Sequence, residues 1–292
     1  MTRFRNYLAI DWSGAAGERH SGIALALART EGGPPELLRR ERPWSRQEVL
    51  DLLRDALPPD TLVGIDMGLS LPHADCGAYF PGLHDSPPDA RSLWALIDVI
   101  AFDDPYLGVS RFVEHGEHAP FFRLPSREGA LFRCDRAEHG RGRFRVTEHA
   151  QAAMGCKPYS NFNLVGAAQV GKASLAGMRM LHRLGDTLPV WPMDALPASG
   201  SMLVEIYTAI AAMAAGRTAG RSKMRSFDDL NAALDALGSH PVAGSGPLDD
   251  HSADALLAAA WLRTVAHDDA IWKPPALTPE LARTEGWTFG AV

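Results

Sequence analysis

Apolar residues in this chain come in short runs, and several of the runs end on an acid. Leu8-Ala9-Ile10, entered from Tyr7, runs into Asp11-Trp12-Ser13-Gly14. This pattern predicts a buried strand that closes in a tight turn. A second apolar run covers residues 22–28, and residues 36–42 predict a short third strand, with the turn Gly32-Gly33-Pro34-Pro35 between them. Ser45, with Glu48 three residues on, forms a capping box for a helix reaching Leu57. Val49, Leu50, Leu53 and Leu57 give that helix one apolar face, and Pro58-Pro59 stops it. Residues 61–65 are a fourth strand, again ending on an acid, Asp66.

The alternation then breaks. Residues 73–200 are rich in Pro, His and Arg, with helices expected near 90–102 and 171–184, and 185–200 reads as a linker. Regular patterning returns at Ser201-Met202-Leu203-Val204-Glu205-Ile206-Tyr207, a strand carrying Glu205. A basic loop follows (Arg217, Arg221, Lys223, Arg225), then a helix at 227–237 and a strongly apolar helix at 250–266, with Asp250 as its expected N-cap. The expectation is one α/β domain spanning 1–292, with 73–200 inserted between strands four and five.

Composition narrows the class. A hydrophobic content of 46% with 22% charged residues is that of a globular protein. No apolar run approaches the ~18 residues of a membrane span, and strand-like residues follow Arg3 and Arg5 directly, so a cytoplasmic protein without a membrane partner is expected. The three cysteines, Cys76, Cys134 and Cys156, are too dispersed for a disulfide framework. His73 with Cys76, or Cys134 with His139, matches no common zinc spacing. The net charge of −6 conceals an asymmetry: between Arg111 and Arg183 there are twelve basic residues against six acidic ones. A basic segment on an acidic body points to a local anionic partner.

The candidate chemistry rests on Asp11, Asp66, Glu205 and Asp254. A lone strand-end Asp is most often a turn former, and Asp250 is more often a cap than a ligand. Glu inside an apolar strand is harder to explain that way. If strands one and four are neighbours, their tips bring Asp11 and Asp66 side by side, where they repel unless a cation lies between them. Oxygen-only ligands suit Mg²⁺ or Mn²⁺, and a pair of such ions can hydrolyse a phosphodiester.

The fragments AIDWSG, VGIDMGLSLP, LVEIYTA, DDHSADALLAA and the terminal EGWTFGAV resemble domain-of-unknown-function family 429, described as predicted nucleases of ribonuclease H-like fold. The fragments are spread from residue 9 to 292. The resemblance implies a mixed five-stranded sheet flanked by helices. It implies that Asp11, Asp66 and Asp254 hold the metal, with His251 beside them; Glu205 is expected to assist on the strength of its place in the apolar strand. Glu205 belongs to a family-like fragment yet maps onto no fixed position of the resolvase-type acidic set.

Two further features bear on substrate. Arg123, Arg127, Arg133, Arg136, Arg141, Arg143 and Arg145 fall within 23 residues, interleaved with Phe121, Phe122, Phe132 and Phe144. Arginine fits phosphate and aromatics stack on bases, so this stretch reads as a nucleic-acid arm, or else as a solvated loop paired with Glu128, Asp135 and Glu138. Gly171-Lys172 before a helix offers backbone N–H groups to a phosphate, without the P-loop spacing. The leading expectation is metal-dependent phosphodiester hydrolysis of nucleic acid or another phosphoester. The alternatives are an actin-like ATPase or phosphotransferase, and a non-catalytic nucleic-acid-binding module.

Overall fold

The computed structural model describes residues 3–133, 142–166, 170–218 and 223–292. Strands β1 (Asn6–Asp11), β2 (Ala24–Arg29) and β3 (Glu36–Leu37) lead to helix α1 (Arg46–Asp55) and strand β4 (Thr61–Asp66). Then come α2 (Ala90–Ile100), α3 (Ser110–Glu114), the small hairpin β5 (Arg123–Leu124) and β6 (Arg127–Glu128), α4 (Val146–Ala153) and α5 (Val170–Leu184). The chain ends with β7 (Val190–Trp191), β8 (Met202–Glu205), α6 (Thr208–Ala214), α7 (Phe227–Ala236), α8 (Asp250–Val265), α9 (Asp269–Trp272) and α10 (Pro279–Thr284). No helix among the described residues is long and apolar enough to cross a membrane.

The protein is a mixed α/β fold whose main sheet runs β3-β2-β1-β4-β8-β7. Strand β2 is antiparallel to β1 and β3, while β1, β4, β8 and β7 run parallel. The sheet therefore has six strands where five were expected. The sixth, β7, lies inside the 185–200 stretch expected as a linker. Its two residues sit between Pro189 and Pro192 and are too short a run to signal a strand, yet both are buried and pair with β8. Strand β3 stops at Leu37, short of the expected 42, because the chain from Arg39 to Pro43 is charged and largely exposed. The capping box of α1 forms: Ser45 Oγ accepts from Glu48 N at 3.1 Å, and Glu48 accepts from Ser45 N at 2.9 Å.

Strand alternation divides the core into two layers. Leu8, Ile10, Val63, Ile65 and Leu203 face one layer, which holds α1, α2 and α5. Tyr7, Ala9, Leu62, Met202 and Val204 face the other, which holds α6, α7 and α8. The inserted segment thus supplies most of one covering layer. On the other side α8 is built from small residues, with Ala253, Ala255, Ala258, Ala259 and Ala260 all buried. A Cβ on Gly64 in β4 would come within 2.7 Å of Leu262 Cδ1 and 2.8 Å of Ile206 Cγ2. Gly64 and the alanines together let α8 lie close against the sheet, which fixes where its first turn ends up.

Candidate active site

Parallel pairing of β1 with β4 sets Asp11 directly opposite Asp66 at the C-terminal tips of both strands. Both follow the parity of Tyr7, Ala9 and Leu62, so both carboxylates project toward α8. Asp254 comes from the opening turns of that helix. The N-cap of α8 is Asp249, whose carboxylate accepts from Ser252 N at 2.8 Å, and not Asp250 as expected. Asp250 occupies the first helical position instead, 3.9 Å from Arg225. Asp254 is then one turn further in, buried on the face that meets the strand tips.

The three carboxylates have partners of unequal strength. His251 Nδ1 lies 2.7 Å from Asp11 Oδ2. Lys223 Nζ donates to Asp254 Oδ2 at 2.8 Å, and Thr208 Oγ1 donates to Asp66 Oδ2 at 3.0 Å. Burial raises the Asp11 carboxyl above the usual range, against the hydrogen bond and charge of His251. Burial also raises Asp66 well above that range, and repulsion from Asp11 and Asp254 adds to it. Asp254 is pushed up to about 6, by burial first, with Lys223 opposing and Asp11 and Asp250 reinforcing. The hydrogen bond to Asp11 raises His251. Burial disfavours the Lys223 charge, but Asp254 outweighs it and the ammonium is held above its ordinary value. The cluster is short of positive charge, and its two cationic partners are about half exposed, 47% for His251 and 51% for Lys223.

Among the described residues no three His, Cys, Asp or Glu side chains form a ready-made metal-binding group. The chemistry of the donors nevertheless suits a hard cation: carboxylate oxygens on converging elements, each raised by burial, with Asp66 and Asp254 raised further by repulsion from Asp11. Lys223 supplies the positive charge at Asp254 in this arrangement.

Glu205 lines the same cleft but from the opposite sheet face, for a reason of parity. It pairs with Ile65, one residue before Asp66, and so projects to the sheet face opposite Asp11 and Asp66. There its carboxylate receives Arg145 Nη2 at 2.6 Å and Nη1 at 2.8 Å, Leu69 N at 2.8 Å and the Thr288 hydroxyl. Arg145 also binds Glu148, through Nη2 at 2.6 Å and Nε at 2.9 Å. Burial works against the Arg145 charge, but the two carboxylates hold it firmly protonated, while burial lifts Glu148 to about 7. The terminal Glu285-Gly286-Trp287-Thr288-Phe289 segment closes this network. The Glu285 carboxylate accepts from His73 N, Ala74 N and Val146 N at 2.7–2.8 Å, and Phe289 N donates to Glu205 O at 2.8 Å.

The expected arginine arm is corrected in part. Arg143 and Arg145 are 0% and 1% exposed and cannot track a polymer backbone. Arg143 forks onto Asp75 at 2.6 and 2.8 Å and donates to the Pro72, Ala78 and Tyr79 carbonyls. Arg123 and Arg133 pair with Glu128 at 3.6 and 2.7 Å, and Arg127 reaches Ala119 O at 3.5 Å. Spacing alone does not reveal which acids these guanidiniums meet. Arg136 and Arg141, with Cys134, His139 and Arg221, lie outside the described residues. Lys172, in the first turn of α5, packs its backbone against the loop after β1: a Cβ on Gly14 would stand 2.3 Å from Ala173 N and 2.6 Å from Lys172 C. Trp12 Nε1 donates to Ala173 O at 3.0 Å and holds the same junction.

A cleft of about 530 Å³ opens over the strand tips; Asp11, Asp66, Asp254, His251 and Lys223 line it, and so do Glu205, Arg145 and Glu148. Among the other liners are Thr208, Tyr159 and Tyr207. Tyr207 and Thr208 fall in the fragment LVEIYTA, but nothing in the sequence assigned a role to either side chain or to Tyr159. Comparison with models of known protein families, with curated proteins and with solved structures returns no match.

Proposed function

We propose that the protein is a metal-dependent phosphodiester hydrolase of ribonuclease H-like fold, in which Asp11, Asp66 and Asp254 hold Mg²⁺ or Mn²⁺. The observation that carries this reading is the in-register pairing of Asp11 with Asp66, under-compensated for charge and facing Asp254 across one cleft. The cation would supply charge against the phosphoryl oxygens and acidify an attacking water. The chain's own residues then have separable tasks. Asp11 orients the His251 ring through Nδ1, leaving the half-exposed imidazole to carry a proton in the cleft. Thr208 fixes the rotamer of Asp66. Lys223 balances Asp254 when no other cation is present. Glu205 acts at one remove, bracing the strand tips through Arg145.

The test is calorimetric titration of Mn²⁺ into the wild type, Asp11→Asn and Asp66→Asn, beside hydrolysis of bis(p-nitrophenyl) phosphate. Each variant is expected to lose at least tenfold in Mn²⁺ affinity and most of the hydrolysis while remaining folded. Unchanged affinity in both variants refutes the metal site, and turnover of ATP in place of the diester favours the phosphotransferase alternative.

A further inference from the structure

The cleft has a second wall that the carboxylates do not use. Pro158, Tyr159, Ile206, Tyr207, Ala209 and Ala212 contribute to its lining. Tyr159 is 49% exposed, a large aromatic left open to solvent at the rim. Tyr207 is part-buried, and its hydroxyl donates to Lys157 O at 3.4 Å. Burial holds that phenol well above its ordinary value, and the charges of Asp66, Cys156 and Tyr159 push the same way. Tyr207 and Tyr159 thus line the same cleft as the carboxylate cluster, and the residue after Tyr207, Thr208, donates to Asp66.

We infer that the cleft takes a small phosphoester bearing one planar ring, of the size and chemistry of a single nucleotide, with the ring against Tyr159 and Tyr207 and the phosphate toward Asp11, Asp66 and Asp254. This rests on the hydrolase reading for where the phosphate goes. One observation places the ring, and two select a small substrate over a polymer. The volume of about 530 Å³ is that of a small-molecule site. An open aromatic rim beside apolar residues matches a ring, since every base has a face that stacks. Of the described arginines in the insertion, only Arg145 reaches the cleft, and Glu148 and Glu205 already occupy it. The described cations at the cleft thus serve about one phosphate, whereas a strand bound along its backbone needs a basic track.

The probes are thymidine 5′-monophosphate, 2-deoxyribose 5-phosphate and a ten-residue oligothymidylate, titrated calorimetrically with saturating Mn²⁺ and again in EDTA. With Mn²⁺, the nucleotide is expected to bind at least about fivefold tighter than the sugar phosphate, the low end of one base–aromatic stack. Tyr159→Ala should erase that preference and Tyr159→Phe should keep it, and neither change touches the carboxylates. Equal affinity for the two monophosphates, no detectable binding of either, or an unchanged preference in Tyr159→Ala overturns the inference. So does an oligothymidylate that binds far beyond its tenfold statistical advantage with a steep salt dependence. Mn²⁺ titrated alone separates the two readings: no Mn²⁺ binding with the base preference intact in EDTA sinks the hydrolase assignment and leaves the ring site standing.

Discussion

Replacing Asp254 by Asn should make the metal-free protein more stable, and the gain should depend on pH. The Asp254 carboxyl is raised from 3.8 to about 6 while its side chain is only 11% exposed. A carboxyl raised that far prefers its protonated form in the folded state by about 3 kcal/mol. An acid whose folded value lies above its unfolded value contributes stability that is complete below about 4 and is lost as the pH rises through about 6. At pH 8 the wild type therefore carries the whole penalty, and at pH 4.5 it carries only about 1 kcal/mol of it. Asparagine carries none. It leaves Lys223 without its partner, but that ammonium is half exposed, and such pairs contribute roughly 0–1 kcal/mol. The net expectation is a gain of about 2–3 kcal/mol at pH 8, roughly 4–6 °C in melting temperature for a chain of this size. Thermal melts of both proteins in EDTA at pH 4.5 and pH 8 measure it. If Asp254 served α8 only as a favourable charge near its N-terminus, Asn would instead cost ~0.3–1 kcal/mol. A variant less stable than wild type at pH 8, or a difference indifferent to pH, refutes the reasoning.

Arg145→Met should destabilise by about 3–5 kcal/mol, because it strands Glu205 and Glu148 in a buried site. Arg133→Ala, an exposed member of the same arginine-rich stretch, should stay within about 0.5 kcal/mol. Chemical denaturation distinguishes them, and equal effects would argue against a structural role for Arg145. Lys223→Met should tighten Mn²⁺ binding by roughly fivefold, the weight of a half-exposed ion pair that no longer competes. Calorimetry showing weaker Mn²⁺ binding in Lys223→Met would mean that the lysine assists the cation.

The frame of the site was legible because it rests on local signals. Two apolar runs ending on acids became adjacent parallel strands, and Ser45 with Glu48 marked the helix between them. What stayed hidden depends on partners distant in sequence. Arg145 meets Glu205 sixty residues away, and Arg143 meets Asp75 at a separation of 68, so their spacing read as an exposed arm. Strand β7 is held by pairing to β8, and two residues flanked by prolines show no periodicity. The cap of α8 falls one position before the expected one, since Asp249 and Asp250 are chemically identical candidates and only the backbone angles select the first.

Strand parity explains why two sets of acids at one sheet edge behave so differently. Asp11 and Asp66 fall on the α8 face, where the available counter-charges are His251 and Lys223, both half exposed and on side chains that water can re-solvate. Glu205, one step out of phase, falls on the other face, where a fully buried guanidinium and the C-terminal segment satisfy it. Displacing Arg145 would strand buried charge at a cost of several kcal/mol. Displacing Lys223 or His251 costs about as much as a surface pair. On the proposed reading, a cation would exchange with the first set more readily than with the second. The second set ties the strand tips to the chain around them, through Leu69 N at the exit of β4 and Phe289 N on the Glu205 backbone. The tight helix–sheet approach at Gly64 completes the arrangement, since any side chain there would push α8 outward and draw Asp254 away from the pair it faces.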